Sequence, residues 1–138
     1  MRILGLDVGD ARIGVAVSDE LYIAANGLPT IRRKTLDQTL AAIERLVKQY
    51  EVGEIVAGMP INMDGTMGAS AAKVMEFARL VEERTGVPVR PFDERLSTHA
   101  ANEALMEAQV PWRKRKGLVD KVAAVIILQG YLDRKGKA

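Results

Sequence analysis

The chain has 138 residues, enough for one domain with a substantial core, and we expect a single domain over residues 1–138. Hydrophobic residues make up 48% and charged residues 28%, which excludes a disordered or fibrous chain. The net charge of +2 is too small to indicate a polyanionic partner by itself. The absence of cysteine excludes disulfides, thiolate zinc sites and cysteine nucleophiles. Because no signal peptide or membrane-spanning run is recognisable either, we expect a cytoplasmic protein without a membrane partner.

The first nineteen residues predict a β-hairpin that carries a carboxylate near the end of its first strand. Residues 3–8 are apolar on both faces of a strand until Asp7 interrupts the pattern. A strand of this kind is normally covered on both sides, so Asp7 is expected on or near the core. An ionised carboxylate there is costly unless a partner satisfies it. Residues 9–12 form the predicted turn, and residues 13–19 return as the second strand.

The rest of the chain predicts alternating strands and helices. Residues 27–31 form a weaker strand, which Pro29 assigns to a sheet edge, and Thr35 begins a capping box. Ser70 is the predicted N-cap of a later helix. The remaining expected elements are a helix to about residue 50, strands at 54–60 and 87–92, helices at 70–86, 97–108 and 118–134, and a basic loop at 110–117.

This order predicts an α/β fold with a five-stranded mixed sheet: an antiparallel meander of three strands plus two parallel strands, flanked by helices. The carboxyl ends of the parallel strands meet at one edge, where ligand sites gather. Asp7 lies toward that end of the first strand, Asn62 and Asp64 lie just past the second, and Asp93 and Glu94 lie at the end of the third. Asp120, expected in the first turn of the last helix, shares a stripe with small and apolar residues that points it inward.

Asp7, Glu94 and Asp120 are therefore the candidate catalytic and metal-binding residues. Two carboxylates about 4 Å apart repel by roughly 4 kcal/mol at an effective dielectric near 20, so such a cluster must take up protons or bind a cation. All-oxygen ligation suits Mg²⁺ or Mn²⁺, and one or two such ions can hydrolyse phosphodiesters. Taken singly, Asp120 is equally explained by the helix dipole, and Glu94 by a surface position beside Arg95.

A concentration of positive charge precedes Asp120. It predicts a sequence-independent clamp on the phosphate backbone, with a solvated loop as the alternative. Asn62 is better explained as part of a turn, although it can also line the site. The candidate nucleic-acid-binding residues are Arg12, Asn62, Arg95, Arg113, Lys114, Arg115, Lys116 and Lys121.

Four ordered motifs, DVGDARIGVAVSD, GMPINMDGT, DERLST and VDKVAAVIILQGYL, together resemble the YqgF family over almost the whole chain. That family comprises bacterial proteins described as Holliday junction resolvases and as nucleases that process pre-16S rRNA. The resemblance implies a ribonuclease H-like fold and places the family's acidic positions on Asp7, Glu94 and Asp120. Relatives often have Lys where this chain has Ala11, and Arg12 is the candidate to replace it.

The leading hypothesis is a Mg²⁺- or Mn²⁺-dependent endonuclease that acts on structured nucleic acid, with processing of the 5′ end of pre-16S rRNA as its task and ribosomal particles as possible partners. Cleavage of branched DNA is the alternative, and a symmetric homodimer rather than a monomer would favour it. A phosphotransferase is also compatible with DVGDARIG, but 138 residues supply only one of the two lobes that such enzymes close over a nucleotide. A non-catalytic nucleic-acid-binding module remains a fourth hypothesis.

Overall fold

The computed structural model describes residues 1–62, 64–93 and 112–136, with the side chains of residues 121–135 in the last range. The predicted helix at 97–108, Glu94 and Arg95 lie outside these residues. In chain order the described elements are β1 (Arg2–Val8), β2 (Arg12–Ser18), β3 (Ala25–Arg32), α1 (Leu36–Gln49), β4 (Val52–Met59), α2 (Ala69–Thr85), β5 (Val89–Asp93) and α3 (Trp112–Gly136).

Within the described residues the strands form one five-stranded sheet in the order β3-β2-β1-β4-β5. β1 pairs antiparallel with β2, β2 antiparallel with β3, and β4 parallel with both β1 and β5. This confirms the predicted meander with two parallel additions. Pro29 lies on the edge strand β3, as predicted. A register shift between β3 and β2 lies close to it, at a point where a residue without a backbone N–H interrupts the regular ladder least.

The helix caps agree with the sequence at α1 and differ at α2. Thr35 caps α1, and its Oγ1 accepts the backbone N–H of Gln38 at 3.1 Å. At α2 the predicted cap, Ser70, is wrong: the helix begins at Ala69, so Ser70 already lies inside the first turn. Gly68 occupies the N-cap position without a side-chain hydrogen bond. Gly86, with φ 72°, ends α2 in the left-handed conformation expected of glycine.

The last helix, α3, begins at Trp112 rather than at residue 118, so the predicted basic loop is wrong for residues 112–117. Arg and Lys are good helix formers, and the single Gly117 costs the helix only about 1 kcal/mol. The loop prediction gave the charge run more weight than its helix propensity. As a result Asp120 lies eight residues after Trp112, in the third turn, where the N-terminal helix dipole no longer explains it.

Each face of the sheet is covered, as the apolar pattern of β1 predicted. Leu4 and Leu6 point into a core shared with α1 and α2. Ile3 points to the other face, where it packs with Leu128 and other buried residues of α3. Asp7 follows Ile3 in the two-residue alternation and therefore lies on the α3 face.

A row of small residues lies under α3. Gly5, Ala16 and Gly27 are register partners across β1, β2 and β3. A Cβ atom added to Gly5 would lie 2.8 Å from the Cβ of Leu128, and one added to Gly27 would lie 2.7 Å from the Cε of Lys121. The helix therefore packs directly on the backbone of the sheet.

The helix α3 runs against the direction of β1. The side chain of Lys121 covers Gly27, whereas eight residues later the Oε1 of Gln129 accepts the backbone N–H of Ala25 at 3.0 Å. Because β3 and β1 point the same way, the beginning of α3 lies toward the carboxyl ends of both strands.

Among the helices described, none is both long and apolar enough to span a membrane.

Candidate active site

Asp7 lies near the carboxyl end of the central strand and is partly buried, whereas Ile3 and Gly5 on the same face are fully buried. Its register partner on β2 is Gly14. On β4, Gly58 comes one residue past the last β1–β4 register pair. With glycines at these positions, neither neighbouring strand places a side chain beside the carboxylate. The sequence prediction of an acid beside the core is confirmed for Asp7.

The helix α3 brings Asp120 toward the same edge. Ala124 packs against β1, since its carbonyl oxygen would lie 3.3 Å from a Cβ on Gly5. Asp120 lies one turn before Ala124, in the direction of the carboxyl end of β1. The stripe to which it belongs is buried at Ala123, Ala124 and Ile127, as predicted. The backbone thus directs the Asp120 position toward the Asp7 edge, while the Asp120 side chain lies outside the described residues.

The third predicted acid, Glu94, and its neighbour Arg95 lie outside the described residues. Asp93, which precedes Glu94 in the chain, is the last residue of β5 and pairs in register with Met59 on β4. Within the described part of the chain, no three Asp, Glu or His side chains form a group that could hold a metal ion. The predicted cluster of three acids therefore stays a prediction, with Asp7 as its described member.

The hairpin turn that follows Asp7 is held by a residue that the sequence analysis missed. The turn closes with a hydrogen bond of 2.9 Å from the N–H of Gly9 to the carbonyl of Arg12. Arg33 donates its backbone N–H to the carbonyl of Ala11 at 2.9 Å and its Nη1 to the carbonyl of Gly9 at 2.8 Å. Its guanidinium lies 4.9 Å from the ring centroid of Phe77 on α2. Three consecutive basic residues at 32–34 were the available signal in the sequence.

The loop after β4 is a closed turn. The N–H of Asn62 donates to the carbonyl of Thr66 at 2.9 Å, and its Nδ2 donates to the Thr66 Oγ1 at 3.0 Å. Asp64 accepts the Oγ1–H and the backbone N–H of Thr66 at 2.6 and 2.9 Å. These hydrogen bonds, that of the hydroxyl first, hold the pKa of Asp64 below its ordinary value. The turn interpretation of Asn62 is therefore confirmed, and a role in nucleic-acid binding stays a prediction.

The predicted basic residues are distributed over two elements and the undescribed segment. Arg12 is the partly buried first residue of β2 and belongs to the hairpin turn. Lys121 is partly exposed, and its aliphatic stem lies over Gly27 on β3. Residues 113–116 lie in the first turns of α3. The residues of the predicted clamp at 113–116 thus lie in a helix rather than in a loop.

Comparison with known proteins decides the family. The sequence profile of the RuvX family, described as Holliday junction resolvase, matches residues 1–134. The chain belongs to the RuvX family. A protein of Halothermothrix orenii named "Putative pre-16S rRNA nuclease" is 52% identical over 137 residues, covering 99% of this chain and 98% of the relative. The resemblance to YqgF proteins and the predicted enzyme class, a hydrolytic nuclease, are confirmed.

Solved structures confirm the fold that RuvX membership implies. The Thermus thermophilus RuvC in complex with a Holliday junction substrate superposes with a TM-score of 0.61 at 14% identity, covering 100% of this chain and 98% of that one. The fowlpox virus Holliday junction resolvase superposes with a TM-score of 0.60 at 11% identity, covering 98% and 99%. At these identities the likeness concerns the fold alone, which is the ribonuclease H-like fold predicted from the sequence.

Proposed function

We propose that this RuvX-family nuclease hydrolyses phosphodiester bonds in structured nucleic acid with the help of Mg²⁺ or Mn²⁺ held by Asp7, Glu94 and Asp120. The observation that carries the proposal is the position of Asp7: partly buried at the carboxyl end of the central strand, beside glycines, on the face that α3 covers. Ligands bind at this edge in open α/β sheets, and carboxylates are preferred ligands of hard divalent cations.

The donors of the proposed site fit a hard divalent cation. All three are carboxylates, and the chain has no cysteine and one histidine, which disfavours zinc. Ions held by these three acids would supply an activated water molecule and charge stabilisation at the leaving oxygen of the phosphodiester. The contribution of the chain is to hold the three acids at one point: Asp7 by the sheet, Asp120 by α3 packed on Gly5, and Glu94 by its place after β5.

We infer that precursor 16S rRNA is the substrate, with processing of its 5′ end as the reaction. Support comes from the name of the Halothermothrix orenii relative, which is 52% identical over nearly the whole of both chains. Ribosomal particles are the matching partner, and the cytoplasm the matching compartment. The residues proposed to contact the RNA backbone are the eight predicted from the sequence: Arg12, Asn62, Arg95, Arg113, Lys114, Arg115, Lys116 and Lys121.

Branched DNA is the second candidate, and the description of the RuvX family as Holliday junction resolvases favours it. A resolvase must cut two strands symmetrically, which requires a homodimer, whereas cleavage of a single RNA strand is compatible with a monomer. The mass of the protein in solution, measured with and without a four-way junction, separates the two candidates. A protein that stays monomeric on the junction contradicts the resolvase.

The test of the nuclease site is the substitution Asp7→Asn, which removes the charge while keeping the size of the side chain. We expect the cleavage rate with Mg²⁺ or Mn²⁺ to fall by roughly a thousandfold, equal to about 4 kcal/mol of transition-state stabilisation. Cleavage is followed on a precursor rRNA fragment and on a four-way DNA junction, and binding is measured separately by fluorescence anisotropy.

Asp10→Asn is the matched control, because it makes the same change in the same hairpin at an exposed residue. It should leave cleavage within about threefold of the wild type. Equal rates for Asp7→Asn and the wild type would contradict the proposed site. A wild type that binds both nucleic acids and cuts neither with any divalent metal would favour the non-catalytic binding module.

A further inference from the structure

We propose that four basic side chains, at the end of β3, in the connection that follows it, and on α1 and α2, bind the phosphate backbone of the substrate at a distance from the cleaved bond. These residues, Arg32, Lys34, Arg45 and Lys73, are called the basic surface below. The inference rests on the proposed nuclease function and extends it, since none of the four belongs to the contacts predicted from the sequence. The surface would hold a double-stranded arm that flanks the cleavage site.

The residues of the basic surface line two adjoining cavities. Arg32, Lys34 and Arg45 line a cavity of about 410 Å³ between the end of β3 and α1. Lys34 also lines a cavity of about 820 Å³ between the hairpin turn and α2, together with Lys73. Because Lys34 lines both, the two cavities adjoin each other at this basic residue. All four side chains are exposed.

Two carboxylates of this region are paired with arginines outside the basic surface. Asp37 lines the smaller cavity but lies 3.1 Å from Nη1 of Arg84. Glu76 lines the larger cavity but lies 2.7 Å from Nη2 of Arg79, which lowers the pKa of Glu76. Within the described residues, no carboxylate forms an ion pair with any member of the basic surface. Its positive charge is therefore available to an anionic ligand.

The basic surface is continuous with the candidate active site. Val8, Gly9 and Asp10, the three residues after Asp7, line the larger cavity. In addition, Arg32 is the register partner of Arg12, so two arginines lie opposite each other where β2 begins and β3 ends. The charged region thus extends from the hairpin turn onto α1 and α2.

The spacing of the charges favours a polyanion over a small phosphate ligand. The four side chains come from β3, α1 and α2 and lie in two cavities instead of converging on one point. A small anion would contact only part of the set, whereas consecutive phosphates of a nucleic-acid strand can contact all of it. Such contacts position a duplex without reading its sequence.

The experiment compares two triple variants with equal loss of charge. The first is Arg32→Ala/Lys34→Ala/Arg45→Ala in the basic surface. The control is Lys48→Ala/Arg90→Ala/Lys135→Ala, three exposed residues away from the hairpin edge. Binding to a precursor rRNA stem and to a four-way DNA junction is measured by fluorescence anisotropy in Ca²⁺ across a salt series. Thermal melting verifies that both variants are folded.

We expect the first variant to bind at least tenfold more weakly than the wild type and to lower the salt slope by about 2, while the control changes affinity less than threefold. The defect should disappear when the duplex arm is shortened base pair by base pair until it no longer reaches the surface. If the first variant binds and cleaves like the control, the basic surface is wrong and the nuclease stands. If the wild type binds neither nucleic acid, both proposals fail.

Discussion

The two faces of the sheet are built from residues of very different size. The α1 and α2 face buries large side chains such as Leu6 and Phe77, which interdigitate as in an ordinary core. The α3 face has Gly5, Ala16 and Gly27 in register, and the helix lies directly on their backbone. On the first face the helices are held at a distance by side chains, whereas on the second the helix position is fixed by contact with the sheet itself.

We expect this difference to separate buried residues that affect only the free energy of unfolding from those that also affect the rate of cleavage. Close approach on the α3 face fixes the distance between β1 and α3, the elements that carry Asp7 and Asp120. The opposite face determines mainly how much apolar surface is buried. Substitutions of buried side chains on the α1 and α2 face should therefore change mainly the free energy of unfolding, while those on the α3 face should also change the rate of cleavage.

The largest expected effect on stability comes from Leu6→Ala, which opens a cavity on the α1 and α2 face. Leu6 is 1% exposed, and the substitution should lower the free energy of unfolding by about 2–5 kcal/mol. Chemical denaturation measures the loss. Leu21→Ala, at a side chain that is 75% exposed, is the control and should change stability by less than about 0.5 kcal/mol. Below its melting temperature, the Leu6→Ala protein should cleave at a nearly normal rate, and a large loss there would break the comparison.

Gly5→Ala tests the α3 face. The new Cβ would lie 2.8 Å from the Cβ of Leu128, so α3 must shift, at a cost of about 1–3 kcal/mol. A displaced Asp120 should also lower the cleavage rate by roughly tenfold or more. Gly53→Ala is the matched control, because its Cβ meets only the flexible side chain of Met1 and should cost little. Normal cleavage by folded Gly5→Ala protein would contradict the link between helix position and activity.

Arg33 joins the α1 and α2 face to the hairpin turn after Asp7, since it contacts both Phe77 and the carbonyl of Gly9. Arg33→Lys retains the charge but loses the planar guanidinium that both contacts require. We expect kcat to fall several-fold and stability to fall by about 1 kcal/mol, with KM nearly unchanged, because the turn is loosened but binding charge is retained. A change confined to KM would instead make Arg33 a substrate contact.

The smallest effect is expected at Thr35, the N-cap of α1. Thr35→Ala leaves the N–H of Gln38 without its side-chain acceptor and should cost about 1 kcal/mol. Thr35→Ser keeps the hydroxyl and serves as the control. Thermal melting should show a lower Tm for Thr35→Ala alone. Cleavage by the folded variant should equal that of the wild type, and a parallel loss of activity would show that the α1 side also positions the site.

Local rules in the sequence determined most of the fold. The alternation in β1 placed Asp7 opposite Leu6, the capping box located the start of α1, and Pro29 assigned β3 to the edge. These features depend on neighbours along the chain, which a sequence displays directly. The family motifs extended this reading to the ribonuclease H-like fold and the nuclease class, since they combine four separated segments that single propensities cannot join.

The tertiary structure decided what depends on contacts between distant segments. Three features were not predictable from local pattern. The helix α3 includes residues from Trp112 onward, it packs on Gly5, and Arg33 donates a hydrogen bond to the hairpin turn at Gly9. A charge run has the same composition in a loop and in a helix, and a glycine in a strand does not reveal what will pack on it. Burial against residues far along the chain stabilises one alternative, such as the helix, over the other, such as the loop. That stabilisation arises only when the chain is folded.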